Sequence, residues 1–226
     1  MNYISKIFNI ILNFIFPPVC GFCNKINNEF LCKKCEQKFE QEKSTTIDNY
    51  QNAPVFFDEH LYLFKYKKDI RESIIKYKFD EKSYLYKSFS ELFIRDKQFT
   101  NQFISNYDII IPVPIHKKRF KSRGYNQSEL IAKDIAKRCK KTYFNNVIIK
   151  NNNAVAQSSL DDKLDRIRNI KNAFDVGINI DIIKGKRVAV FDDVFTTGAT
   201  VNECAKVLKQ RGASFVGIFT IAKAWL

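Results

Sequence analysis

Val188-Ala-Val-Phe-Asp-Asp-Val-Phe-Thr-Thr-Gly-Ala-Thr200 is a short apolar run, a pair of carboxylates and a hydroxyl- and glycine-rich turn in succession. A brief apolar run without alternation reads as a strand buried on both faces, the pattern of a parallel sheet. Asp192 and Asp193 fall at its carboxyl end, where open α/β sheets bind ligands. Beyond Gly198, the residues Val201, Cys204, Ala205 and Leu208 recur at helical spacing until Gly212 stops the helix. Backbone N–H groups at such a helix start cradle a phosphate, with Thr196, Thr197 and Thr200 as further donors. Carboxylates repel a phosphate, so they must face another part of the same ligand: adjacent sugar hydroxyls or a hydrated magnesium ion. A plain strand–turn–helix with a threonine N-cap calls for neither carboxylate.

The unbroken stretch resembles the 5-phosphoribosyl-1-pyrophosphate (PRPP) loop of type I phosphoribosyltransferases. That resemblance implies an α/β fold, a twisted and mainly parallel sheet flanked by helices. It also implies that Asp192 and Asp193 hold the ribose hydroxyls, and that Thr196, Thr197, Gly198, Ala199 and Thr200 hold the 5-phosphate. A second phosphate-binding segment is expected upstream. Asp108-Ile-Ile-Ile-Pro-Val-Pro-Ile-His116 reads as a buried strand entering a rigid turn, followed by Lys117, Lys118, Arg119, Lys121 and Arg123 and a helix opening at Gly124. A strand end, a cationic loop and a helix start suit a pyrophosphate, with Arg119 and Arg123 as its forked donors. Magnesium would bridge the pyrophosphate oxygens. His116 contacts the pyrophosphate or, as the preferred reading, fixes the loop.

Cys20-Gly-Phe-Cys23 and Cys32-Lys-Lys-Cys35 are two C-x-x-C knuckles separated by eight residues. Each presents two thiolates from a tight turn, and two knuckles complete a tetrahedron around structural Zn²⁺. Lys25, Lys33 and Lys34 would offset the negative charge of four thiolates. Cys139 and Cys204 stand alone in helical patterns and read as core residues.

The string from Pro112 through His116, Arg119 and Arg123 to Gln127 resembles the ComF family of competence-associated proteins. The paired cysteine knuckles behind Phe-Pro-Pro agree with that family, as do Phe64-Lys-Tyr and Ile75-Lys-Tyr-Lys78. Gln157, Leu160, Arg166, Asn169, Ala173 and Phe174 agree as well. The polar stretch 151–169, which contains Arg166 and Arg168, fits a lid over the sugar.

A chain of 226 residues allows one ordinary domain with a small appendage. The reading is a 1–45 module, made of an apolar helix and the cysteines, and a 53–226 phosphoribosyltransferase-like domain. Residues 36–52 read as a helix end and linker, and Asp69 to Arg95 as helical. The net charge of +14 suits polyanionic partners, although abundant lysine also reflects compositional bias. Arginine is scarcer, nine in all, which gives Arg119, Arg123, Arg166 and Arg168 more weight. Ile4 to Val19 is apolar but too interrupted for a comfortable membrane span. It reads as a helix packed on the body, with peripheral contact at the inner membrane as the second reading. No signal peptide is evident, so a cytoplasmic protein is expected.

By family resemblance the chain would assist uptake of transforming single-stranded DNA, binding DNA and PRPP. A ComF-type helicase or other competence proteins would be its partners. The alternatives are an active salvage or amidophosphoribosyl enzyme and a non-catalytic PRPP sensor. No segment announces an acceptor pocket, so turnover stays open.

Overall fold

Apolar residues at alternate positions bury both faces of the sheet. Ala189 and Phe191 belong to one cluster of buried side chains, and Val188 and Val190 to another on the opposite face. This period of two puts neighbouring side chains of one strand into different cores. In the computed structural model, residues 17, 19–51, 53–80, 82–150 and 173–224 are described. The expected N-terminal apolar helix and the segment bearing Arg166 and Arg168 lie outside them.

The elements in chain order are α1 (Lys33–Glu42), β1 (Lys43–Asn49), β2 (Glu59–Lys65), α2 (Lys68–Phe79), α3 (Leu85–Ile94), β3 (Ile109–Pro112), α4 (Lys117–Arg123), α5 (Gln127–Arg138), β4 (Thr142–Tyr143), β5 (Ile148–Lys150), β6 (Phe174–Val176), β7 (Arg187–Phe195), α6 (Ala199–Gln210) and β8 (Phe215–Lys223). Six strands form one sheet in the order β1-β2-β8-β7-β3-β4. Only β1 runs antiparallel, against β2. Strands β5 and β6 make a separate antiparallel pair. The fold is therefore α/β with a mostly parallel sheet, as the loop sequence implies.

Helices α2, α3 and α5 cover one face through Ile70, Ile74, Tyr77, Phe89, Phe93, Ile131 and Ile135. Phe93 meets Phe191 and Phe219 edge-on at ring separations of 5.8 and 5.7 Å. Helix α6 covers the other face with Val201, Cys204, Ala205 and Leu208. Each fully buried Phe or Leu contributes roughly 1.5–3 kcal/mol of transfer free energy.

Three expectations change or sharpen. The helix end expected after Glu36 is part of α1, but the linker expected beyond it is the edge strand β1 as far as Asn49, and Phe39 is buried in the main core. The stretch Asp69 to Arg95 is two helices, with Asp80 ending α2 outside helical geometry (φ −101°, ψ 22°). The cationic run after β3 is itself helical, and Gly124 stops it in the left-handed region (φ 76°). Among the described residues no helix is long and apolar enough to cross a membrane.

Candidate functional site

The parallel pairing of β3 with β7 decides where the chemistry gathers. The register puts Pro112 opposite Phe191, so β3 ends where the acidic pair of β7 begins. Strand β7 continues to Phe195, paired on its other side with β8. Asp192 and Asp193 thus lie within the strand rather than beyond its tip, next to the place where the neighbouring strand has left the sheet. The loops following both strands emerge side by side at one edge.

Asp192 Oδ1 accepts from Ser128 Oγ at 3.1 Å and from the Asp193 amide at 2.9 Å. Burial, and then the charge of Asp193, push its carboxyl group up to about 7, while Lys78 acts in the opposite direction. Asp193, nearly buried, accepts an ion pair from Lys78 Nζ at 2.8 Å. Lys78 also lines a cleft of about 310 Å³ together with Phe79, Arg119, Ser122, Arg123 and Tyr125. Arg119 and Arg123, two of the four arginines singled out from sequence, therefore share a cleft with a cation already bonded to the acidic pair. Arg123 stacks over the Phe79 ring at 4.9 Å.

His116 fixes its loop: its Nδ1 accepts from the Lys118 amide at 3.1 Å and caps α4. Asn126 does the same for α5, accepting from the Ser128 amide at 3.1 Å while its Nδ2 donates to the Val113 carbonyl at 3.1 Å. Helix α4 has no buried residue, and five of its seven residues are cationic.

On the β7 side, Thr196 and Thr197 are exposed and Gly198 adopts φ 75°, opening α6 without a side-chain cap. The Ala199 amide donates to Thr197 Oγ1 at 3.3 Å. The amides of the first turn have no partner within the helix itself, which leaves donors for an anion. A Cβ on Gly198 would come within 2.4 Å of Phe195 Cζ, so glycine lets the turn close over that ring.

Beneath Phe195 lies His60, its ring stacked at 4.2 Å and its Nε2 hydrogen-bonded to Thr220 Oγ1 at 2.9 Å. Burial, then Lys223, lower its pKa to about 3. Below the ordinary value of 6.5 the unfolded chain takes up a proton that the native ring refuses until about 3. Stability is thus complete above 6.5 and falls as the pH drops towards 3, by up to about 5 kcal/mol. Urea midpoints measured across this window, in wild type and in His60→Phe, should show the acid loss flattened in the variant.

Against α1 and α3 the four expected thiols converge. The Sγ atoms of Cys20, Cys23, Cys32 and Cys35 all lie within 4.8 Å of one another, and Cys23 and Cys32 are 3.8 Å apart. Tetrahedral bonds of about 2.3 Å to zinc give sulfur–sulfur edges of about 3.8 Å, so the residues fit that ion. The first knuckle turns on Asn24, left-handed at φ 58°, whose amide donates to the Cys20 carbonyl at 2.8 Å. Burial alone would raise the Cys20 thiol, but amides led by that of Cys32 bring it down to about 7. These four thiols could bind a metal ion. Arg95 fastens this region to α3 by reaching Glu29, Glu36 and Glu91 at 2.8, 2.7 and 3.1 Å. Cys204 is buried in the core and Cys139 partly buried against it.

The sequence marks Lys78 only as the end of the family-like string Ile75-Lys-Tyr-Lys78; the fold carries α2 to Asp193 and gives it a place at the site. Sequence reasoning passed over Lys150, which faces the Phe174 ring at 5.1 Å and whose ammonium is depressed by burial and then by Arg119.

No family model matches the chain. It is 28% identical to Competence protein F of Haemophilus influenzae over 92% of its length and 85% of that protein's. It is 24% identical to Competence protein ComFC of Bacillus subtilis, covering 92% of the chain and 77% of that protein. Among solved structures, the glutamine PRPP amidotransferase from B. subtilis aligns with 62% of this chain and 26% of its own at 17% identity and a TM-score of 0.38.

Proposed function

We propose that this chain, a homologue of Competence protein F and of ComFC, acts in the uptake of transforming DNA, binds PRPP at the β3–β7 edge and binds single-stranded DNA. One observation carries the reading: an acidic pair, a glycine turn at a helix start and a three-cation cleft meet at the ends of adjacent parallel strands. Asp192 and Asp193 hold the ribose hydroxyls, and the amides and hydroxyls of Thr196 to Thr200 hold the 5-phosphate. Arg119 and Arg123 take the pyrophosphate. Carboxylate and hydroxyl oxygens suit a hard cation, and Mg²⁺ bound with the ligand would supply charge neutralisation across the pyrophosphate. The four thiols hold structural zinc.

Single-stranded DNA finds a suitable surface along α4. Lys117, Lys118, Arg119 and Lys121 are exposed, and Phe120 is exposed among them, offering a face for a base to stack on. The protein works on the cytoplasmic side.

An Asp192→Asn/Asp193→Asn double variant tests the reading. Calorimetry with Mg²⁺ should show affinity for PRPP reduced by about a hundredfold or more, since the charge-assisted bonds are lost. Salt-dependent binding of single-stranded DNA should persist while transformation fails. Undiminished uptake of PRPP by the variant would end the assignment of this site.

A further inference from the structure

Lys78 occupies a position that the acidic pair alone does not explain. Its ammonium is 2.8 Å from Asp193, yet its side chain also forms part of the wall of the cleft that Arg119 and Arg123 line. The backbone beside it is fixed. Tyr77 is fully buried and donates its hydroxyl to the Gln127 carbonyl at 2.9 Å, while the Tyr125 hydroxyl donates to the Tyr77 carbonyl at 2.6 Å. The end of α2 is thereby tied to the segment joining α4 to α5. What remains free to move is the four-carbon stem of Lys78, about a quarter exposed. A flexible ammonium on an anchored base can reach either the carboxylate or an anion in the cleft, but not both at full strength.

We infer that Lys78 is a specificity-determining residue: it neutralises Asp193 in the empty site and moves onto the pyrophosphate when the ligand brings its own partners for the carboxylates. The inference rests on the PRPP reading and deepens it. Ribose hydroxyls donate to Asp192 and Asp193, so the ion pair becomes redundant once the sugar is seated. The released charge then joins Arg119 and Arg123, and three cations face a pyrophosphate. A pentose carrying only the 5-phosphate gives Lys78 no reason to leave. Lys78 therefore discriminates between ligands with and without the second phosphate group.

The test compares PRPP with ribose 5-phosphate in calorimetric titrations of wild type, Lys78→Met and Lys78→Arg, each with Mg²⁺. Methionine keeps the apolar stem and removes the charge. Lys78→Met is expected to lose about tenfold or more in PRPP affinity, to leave ribose 5-phosphate affinity unchanged or improved, and to be rescued by Lys78→Arg. Equal losses for both ligands would overturn the inference and leave Lys78 as a clamp on Asp193. Unchanged PRPP affinity would overturn it as well. Both outcomes leave the PRPP site standing, whereas no binding of PRPP by wild type removes the site and the inference together.

Discussion

Cys35→Ser is expected to abolish the zinc binding proposed for the four thiols and to lower the melting temperature by roughly 10 °C or more. Cys20 and Cys35 are both buried, and both belong to the cluster that contains Phe39, Phe64, Phe89 and Phe93. The thiol knot is therefore continuous with the main core. Phe22, between the first two cysteines, packs on Phe39 at 4.4 Å and on Phe89 at 5.3 Å. Gly21 donates its amide to Ser88 Oγ at 3.2 Å and leaves no room for a Cβ, which would lie 2.3 Å from that oxygen. Loosening the knuckles withdraws these contacts from α3 and frees β1, which follows α1 without a break. Losing a structural metal bound this way costs about 3–5 kcal/mol, which for a chain of this size corresponds to roughly 10–15 °C. Metal content by intact-protein mass spectrometry and a thermal melt check the expectation, with Cys139→Ser as the control that keeps its metal. Equal melting of wild type before and after chelation would refute it.

Gly198→Val should destabilise the protein by about 2–4 kcal/mol and abolish binding at the β7 turn. The residue is left-handed, a region that costs a side-chain-bearing residue roughly 1–2 kcal/mol. The added Cβ also meets Phe195 Cζ at 2.4 Å. Phe195 has nowhere to go, being packed between His60 at 4.2 Å and Phe57 at 6.0 Å. Either the ring or the turn must shift, and the amides of the first turn of α6 shift with it. Gly124→Ala is the informative comparison. Its φ of 76° is almost the same, but nothing lies within 4 Å of its Cβ, so only the backbone term of about 1 kcal/mol applies. Urea midpoints and PRPP titrations of both variants decide. Similar values for the two would show that Phe195 does not shape the turn.

The turn was legible from sequence because everything that defines it is local. A buried strand, an acidic pair, one glycine and a helix start occupy thirteen consecutive residues from Val188 to Thr200. The thiol knot was legible for the same reason, since both knuckles carry their own spacing. Other features depended on tertiary partners. Strand β1, Lys-Ser-Thr-Thr-Ile-Asp-Asn, has no alternation because it is a partly buried edge, and its extended form comes from pairing with β2. Helix α4 shows no apolar period because it buries nothing, and its caps at His116 and Gly124 define it instead. Lys78 shows locally only as the end of Ile75-Lys-Tyr-Lys78, with nothing there to point to Asp193. Its partner lies on a strand that reaches it only after α2 has folded back over the sheet.

The strand order bears on synthesis. Strand β8 follows the other seven described strands along the chain, yet it sits between β2 and β7 and supplies pairing to both. Until residues 215–223 emerge, β2 and β7 await their shared neighbour. Such an interval exposes sticky edges to other chains, so a holding chaperone has its natural moment before β8 emerges.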